Sequence, residues 1–382
     1  MSLMRFSAVA AALCLAFWLP AAHAAMPTID TTARNAYVID FNTGAVLLDK
    51  DGDARIPPAS MSKLMTEYIV FSYLKQGRAT LNDMLPVSEK AWRTQGSKMF
   101  VPLGGKVRLE DLLQGMIVQS GNDACIVLAE GLAGSTDAFV KQMNDKAKEL
   151  GMTGSHFADV DGLPDPEEYM TAHDLAILAR HLITDFPEYY HYDSQKDFTF
   201  NGIKQGNRNP LLYTDSTVDG LKTGHTDEAG YCLTASALRN GRRVIEVLAG
   251  MGTMQDRANQ GRTVIDWAFR EFDNYTIAKA GTVIDHAPVW MGQDGQVPVA
   301  IAHDVVITLP RGDRNALKVA ATYDGPIPAP VAVGQPVGKL TITTPDTAPI
   351  EVPLVATRAV QPLNAFGRMA FNAAYLLFGR HN

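Results

Sequence analysis

Two runs of β-type residues around an Asn-Gly turn fix the first thing this chain must contain. Gly230-Tyr231-Cys232-Leu233-Thr234-Ala235-Ser236-Ala237 and Arg243-Val244-Ile245-Glu246-Val247-Leu248-Ala249 flank Arg239-Asn240-Gly241. Asn-Gly supplies the positive φ angles that a tight hairpin demands, so an antiparallel sheet is expected in the fold. Asp219-Gly220-Leu221-Lys222-Thr223-Gly224-His225-Thr226 leads into this hairpin, which sets Lys222, Thr223 and Gly224 on the strand before it. A glycine inside a strand often marks close approach by a ligand. A second hairpin is expected near the start, where Asn35–Phe41 and Ala45–Asp49 flank Asn42-Thr43-Gly44.

Directly after that hairpin comes Pro57-Pro58-Ala59-Ser60-Met61-Ser62-Lys63-Leu64-Met65-Thr66. The prolines set an extended approach, and Leu64, Met65, Tyr68, Ile69, Phe71 and Leu74 recur at helical spacing before Gly77. Ser60 therefore sits at a helix start, with Lys63 one turn on and on the same face. Unpaired N–H groups and the helix dipole there favour negative charge developing on a serine oxygen. A serine hydroxyl is a poor nucleophile until a base takes its proton, and a lysine serves when burial or a second cation keeps its amine partly neutral. Ser-x-x-Lys alone is weak evidence: Ser72 and Lys75 repeat it near the helix end, with no helix N-terminus to help.

Leu112, Leu113, Met116 and Ile117 form one face of a helix over Leu109–Val118, which runs into Gln119-Ser120-Gly121-Asn122-Asp123 and then a helix over Ala124–Leu132. Ser120 and Asn122 thus fall in a short inter-helix turn, where polar side chains project into clefts. Thr171-Ala172-His173-Asp174 starts a helix reaching about Leu182.

The chain has 382 residues, 46 % of them hydrophobic and 20 % charged, which is the composition of a folded globular protein with more than one domain. Residues 1–24 read as a secretory leader: Arg5, an apolar run from Phe6 to Leu19, and Ala22-His23-Ala24 as the cleavage site. Without it, 33 Lys+Arg stand against 41 Asp+Glu, a formal charge of −8. That acidic balance argues against nucleic-acid binding. Cys125 and Cys232, the cysteines left after cleavage, sit among apolar residues and read as two buried thiols, a single disulfide between them being the alternative in an oxidising compartment. Their spacing suits no metal, and neither metal nor cofactor is expected.

Ser60-x-x-Lys63, Ser120-Gly121-Asn122 and Lys222-Thr223-Gly224, in that order, resemble the three signature motifs of the penicillin-recognising serine enzymes. Their surroundings, P-A-S-x-x-K-L-M-T, Q-S-G-N-D-A-C, N-R-N-x-L-L-Y and K-T-G-H-T-x-x-A-G-Y-C, are similar to the low-molecular-mass penicillin-binding proteins. Those are the serine D-alanyl-D-alanine carboxypeptidases of peptidase family S11. The resemblance implies an α/β (α+β) catalytic domain, an antiparallel sheet with helices on both faces, over residues 25–273. A class A-like β-lactamase is the alternative within the superfamily, but its second motif is usually Ser-Asp-Asn and its loop ends in Leu-Asn; here Gly121 stands in the motif and the loop with Glu167 and Glu168 lacks that ending. A non-catalytic penicillin-binding sensor or scaffold is the other.

From Asn274 the pattern changes to short apolar runs between Gly and Pro turns, a small all-β domain over 274–362. The last segment, 363–382, has Leu363, Phe366, Met369, Ala370, Ala373, Leu376 and Leu377 on one helical face, with Phe371, Tyr375 and Phe378 off it. The resemblance implies an amphipathic helix holding an exported, periplasmic enzyme on the outer face of the cytoplasmic membrane.

The resemblance also implies roles. Ser60 attacks the carbonyl between the two terminal D-alanines of a peptidoglycan stem peptide, Lys63 is its base, and Ser120 relays a proton to the leaving amine. Asn122, Lys222, Thr223 and Gly224 border the substrate, and the N–H groups of Ser60 and His225 form the oxyanion hole. Arg257 binds the terminal carboxylate, with Arg262 the competing choice. β-Lactams are the implied covalent inhibitors.

Overall fold

The structure is a computed structural model and describes residues 26–378 except 324 and 345–347. The leader and the final residues, including Arg380 and His381, lie outside the described residues. Five strands make the central sheet: β1 (Asn35–Asp40), β2 (Val46–Lys50), β3 (Val218–Thr226), β4 (Gly230–Arg239) and β5 (Arg242–Met251), in the order β2-β1-β5-β4-β3 and antiparallel throughout. The Asn240-Gly241 turn joins β4 to β5 with positive φ at both residues, as its chemistry requires.

Side chains alternate across a strand, and here both faces are apolar. Tyr37, Ile39, Ile245, Val247 and Ala249 face one core, while Ala36, Val38, Val244 and Leu248 face a second. A sheet patterned this way has to be covered on both sides. The first face takes the helices α1 (Lys63–Lys75), α2 (Leu109–Gln119), α3 (Asn122–Ala133), α4 (Thr136–Glu149) and α5 (Ala172–Asp185). The second takes α6 (Met254–Glu271), through Val264, Ile265, Trp267 and Ala268. Cys125 and Cys232 are free and buried.

The chain then builds a separate β-rich core from β6 (Phe272–Ala278), β7 (Val283–Trp290), β8 (Gln296–Ile301), β9 (Val305–Pro310), β10 (Lys318–Thr322), β11 (Ile327–Pro328), β12 (Pro336–Thr343) and β13 (Ile350–Ala356). Six of these form one sheet, and β6 pairs with β9. The seam between the two parts is polar. Asp40, fully buried, accepts from Arg242 Nε at 2.7 Å and from Asn274 Nδ2 at 3.1 Å.

A last helix, α7, spans Ala365–Phe378. Its mixed amphipathicity has a structural cause: Phe371 and Tyr375 meet the Trp290 ring edge-on, with centroids at 4.8 and 5.2 Å. Phe366, Met369, Leu376 and Leu377 stay 67–84 % exposed. No helix among the described residues is long and apolar enough to cross a membrane.

Candidate active site

Ser60 lies in the 3-10 turn Ala59–Ser62 that opens into α1, and Lys63 is the first residue of that helix. The turn is forced into shape by its surroundings. Ala59 takes a positive φ of 47°, a strained conformation for a residue with a Cβ. A Cβ at Gly162 would stand 2.0 Å from the Ala59 carbonyl oxygen, and one at Gly224 would stand 2.9 Å from that of Pro58. Only glycine lets the 157–168 loop and strand β3 close on the turn from either side.

Lys63 is 1 % exposed, and its Nζ donates to Ser60 Oγ at 2.9 Å and to the backbone carbonyl of Asp161. Neither of these acceptors is a carboxylate. Burial pushes the Asp161 carboxyl up to about 6 against the pull of the Lys63 charge. Ser120 caps α2 in the left-handed region (φ 64°, ψ 34°), and its buried hydroxyl has no hydrogen-bond partner among the described residues. A buried hydroxyl left free in a strained turn is available to a substrate. Asn122 starts α3 and donates its side-chain amide to the Gln95 carbonyl at 2.7 Å.

Asp123, the next residue, holds the opposite wall. Its carboxylate accepts from the N–H groups of Met99, Phe100 and Val101 at 2.9, 2.8 and 3.1 Å. Lys222 and Thr223 lie buried on β3, the edge strand beside the Ser60 turn. Burial holds Lys222 well below the ordinary lysine range, helped by the charges of Lys63 and Arg208. His225 follows Gly224 on the strand, its ring 4.0 Å from that of Tyr231.

The two arginines separate clearly. Arg257 is 5 % exposed, its guanidinium 5.6 Å above the Tyr231 ring and 3.4 Å from the Arg208 carbonyl, with Nε unpartnered. Burial lowers its pKa. Arg262 is mostly exposed and lies 3.7 Å from Asp266. The Glu168 carboxyl is engaged elsewhere: it accepts from the amides of Ala158 and Asp159 at 2.6 and 3.2 Å, and burial pushes it up to about 7. It fastens the loop. The Asp161 carbonyl and the role of Glu168 have no motif of their own in the sequence, and although Asp123 lies within Q-S-G-N-D-A-C, nothing there names the three amides that it holds.

A serine and a buried lysine joined by a hydrogen bond, at the seam of an antiparallel sheet edge and a helical cluster, define the penicillin-recognising class of serine enzyme. The chain belongs to the D-alanyl-D-alanine carboxypeptidases, peptidase family S11, whose family pattern matches residues 21–253; that of the penicillin-binding protein 5 C-terminal domain matches 272–362. It is 37 % identical to the D-alanyl-D-alanine carboxypeptidase DacA of Escherichia coli K12, over 96 % of this chain and 95 % of that one. Among solved structures it is similar to penicillin-binding protein 5 of Haemophilus influenzae, at 38 % identity and TM-score 0.80, covering 88 % of this chain and 99 % of that one. It is also similar to penicillin-binding protein D2 of Listeria monocytogenes in its ampicillin-bound form, at 31 % identity and TM-score 0.59, covering 64 % and 99 %.

Proposed function

We propose that this carboxypeptidase acts on peptidoglycan stem peptides ending in D-Ala-D-Ala through a Ser60 acyl-enzyme. The observation that carries the reading is the 2.9 Å hydrogen bond between Lys63 Nζ and Ser60 Oγ in a buried setting. Lys63 takes the hydroxyl proton as Ser60 Oγ attacks the carbonyl between the two D-alanines. The oxyanion is held by the backbone N–H groups of Ser60 and His225. The tetrahedral adduct collapses, the C–N bond breaks, and Ser120 relays the proton held by Lys63 to the departing amine of D-alanine, giving up its own proton and taking that of Lys63. Water then attacks the ester, returns the proton to Ser60 and frees the shortened peptide.

Asn122, Lys222, Thr223 and Gly224 line the substrate's path, and a cleft of about 760 Å³ beside Pro58, Ala59, Leu163, Tyr169 and Thr226 offers room for the stem peptide. Arg257 is the better candidate for the terminal carboxylate, since a buried guanidinium with a free N–H matches that group and the ion-paired Arg262 does not. β-Lactams acylate the same serine. The exposed apolar face of α7, with Phe371 and Tyr375 already docked on Trp290, is suited to lie on the outer surface of the cytoplasmic membrane of the periplasm.

The test is D-alanine release from a pentapeptide ending in D-Ala-D-Ala, with penicillin adducts followed by intact mass. Release together with a lasting adduct supports the reading. Fast penicillin turnover without release would make the protein a β-lactamase, and an adduct with neither activity a sensor. Arg257→Ala is expected to lower kcat/KM for the peptide by about 10- to 100-fold, the value of one charged hydrogen bond. Arg262→Ala is expected to leave it near wild type, and the reverse ranking would transfer the carboxylate site to Arg262.

A further inference from the structure

Behind the two lysines lies a pair of acids that the reaction does not use. Glu67 is one helical turn after Lys63 on α1, and Asp193 lies in the 3-10 turn Tyr190–Ser194. Each is 1 % exposed. Their carboxyls stand within hydrogen-bonding reach of each other, yet Glu67 Oε1 and both Asp193 oxygens have no partner with a proton to donate among the described residues. Two buried carboxyls so placed do not both ionise; a proton must bridge them. Asp193 also presses on strand β3, where a Cβ at Gly220 would stand 3.2 Å from its own Cβ. Lys222 follows two residues later, and it is the cation that acts on both acids.

The groups acting on Lys222 are Lys63 and Glu67 from α1, Cys125 from α3 and Arg208 from the loop before β3. Lys63 and Arg208 repel its charge. Burial pushes the Cys125 thiol up, so that it stays neutral. Asp219, which acts on Asp193, is bound by two Arg243 nitrogens at 2.7 Å each and by the Tyr190 hydroxyl at 3.0 Å. Its charge is matched locally. The acid pair is left as the source of negative charge for Lys222.

We propose that Glu67 and Asp193 are positioning residues that share one proton, and that the pair's single negative charge is the buried counter-ion keeping the Lys222 ammonium protonated beside Ser60 and Lys63. The inference rests on the reading of Lys222 as a working cation. Burial pushes Glu67 well above the ordinary carboxyl range and Asp193 up to about 7. The counter-charge is therefore lost on the acid side, as the pair takes its second proton. Removing that charge disfavours the ammonium, so Lys222 then loses its proton at lower pH and the alkaline limb of activity moves down. One charge at this range in a protein interior is worth about one pH unit or more.

The experiment compares Glu67→Gln, Asp193→Asn and the double variant. In either single variant the new amide donates where the acid proton did, and the remaining carboxylate keeps the charge. The double variant has no charge. Profiles of kcat/KM for D-alanine release and of the penicillin acylation rate are measured against pH. The expected result is an alkaline limb unmoved in both single variants and shifted down by about one unit in the double. A limb unmoved in the double, with activity reduced evenly at every pH, would mean that the pair only packs, and would overturn the proposal. So would a full shift in either single variant.

Infrared difference spectra of resting wild type against Glu67→Gln at alkaline pH decide the matter if the double variant does not fold. The carbonyl stretch of one neutral carboxylic acid is expected to disappear, the signals of the other buried acids, Glu168 and Glu246, cancelling. An unchanged band overturns the shared proton. This readout needs no turnover, so it fails independently of the carboxypeptidase reading.

Discussion

Ser60→Ala is expected to release no D-alanine and to form no penicillin adduct, while Lys63→Ala slows acylation by both peptide and penicillin ~10³-fold or more, about 4 kcal/mol of barrier. The asymmetry follows from geometry. Ser60 supplies the atom that becomes the ester oxygen, and no neighbour replaces it. Lys63 supplies proton transfer, which water performs poorly in a site this closed. The amine is 1 % exposed and donates to Ser60 Oγ at 2.9 Å and to the Asp161 carbonyl, so it is held in line with the hydroxyl whose proton it takes. Lys63→Arg separates base from charge, because guanidinium keeps its proton in proteins; it is expected to be as slow as Lys63→Ala. Adduct formation followed by intact mass over time reads both rates. A Lys63→Ala enzyme acylated within tenfold of wild type would assign the base elsewhere, Ser120 being the next candidate. Loss of Lys63 also leaves the Asp161 carbonyl without its donor, a structural penalty of about 1–3 kcal/mol. Near-ultraviolet circular dichroism therefore accompanies the kinetics.

How far the sequence foretold this site depends on how local each part is. Ser60 and Lys63 are three residues apart, and helical geometry alone pairs them. The Asn240-Gly241 turn was enough to foretell the β4–β5 hairpin, though not its shift of register between Tyr231 and Leu233, and Gly224 marked a close approach that proved to be Pro58 of the nucleophile's own turn. Contacts made across the fold had no such signature. Lys63 meets the Asp161 carbonyl over 98 positions, and a carbonyl is present at every residue. Glu67 reads as an ordinary polar residue in a helix until Asp193 is brought against it. Phe371 and Tyr375 spoiled the amphipathic pattern of α7 only while Trp290 was out of view. The short pairings of Met84–Pro86 with Lys106–Arg108, and of Asp197–Phe200 with Ile203–Gly206, lack the length to show a period of two.

Arg242→Ala is expected to be the most destabilising of the changes away from the reaction, at about 3–5 kcal/mol. Asp40 is fully buried and sits where β1, β5 and β6 meet. Arg242 Nε lies 2.7 Å from one carboxylate oxygen, while Arg242 Nη1 donates to the carbonyls of Phe272 and Ala268 at 2.7 and 3.2 Å. The other Asp40 oxygen accepts from the Thr43 amide and hydroxyl and from Asn274 Nδ2. Removing the arginine strands a buried charge and frees two carbonyls at the end of α6, where the chain passes into the β-rich part. Asp40→Asn keeps the shape but leaves the guanidinium without its counter-charge, so it too is destabilising, with a smaller loss because the guanidinium still donates to the Phe272 and Ala268 carbonyls. Thermal melts should fall by roughly 10 °C for Arg242→Ala, at a few degrees per kcal/mol for a chain of this size. Because the pair is sealed from solvent, the difference between wild type and variant should persist at high salt. A loss under 1 kcal/mol would mean that water reaches Asp40 and replaces the guanidinium, and the seam would then owe its order to the Asn274, Thr308 and Thr43 hydrogen bonds instead.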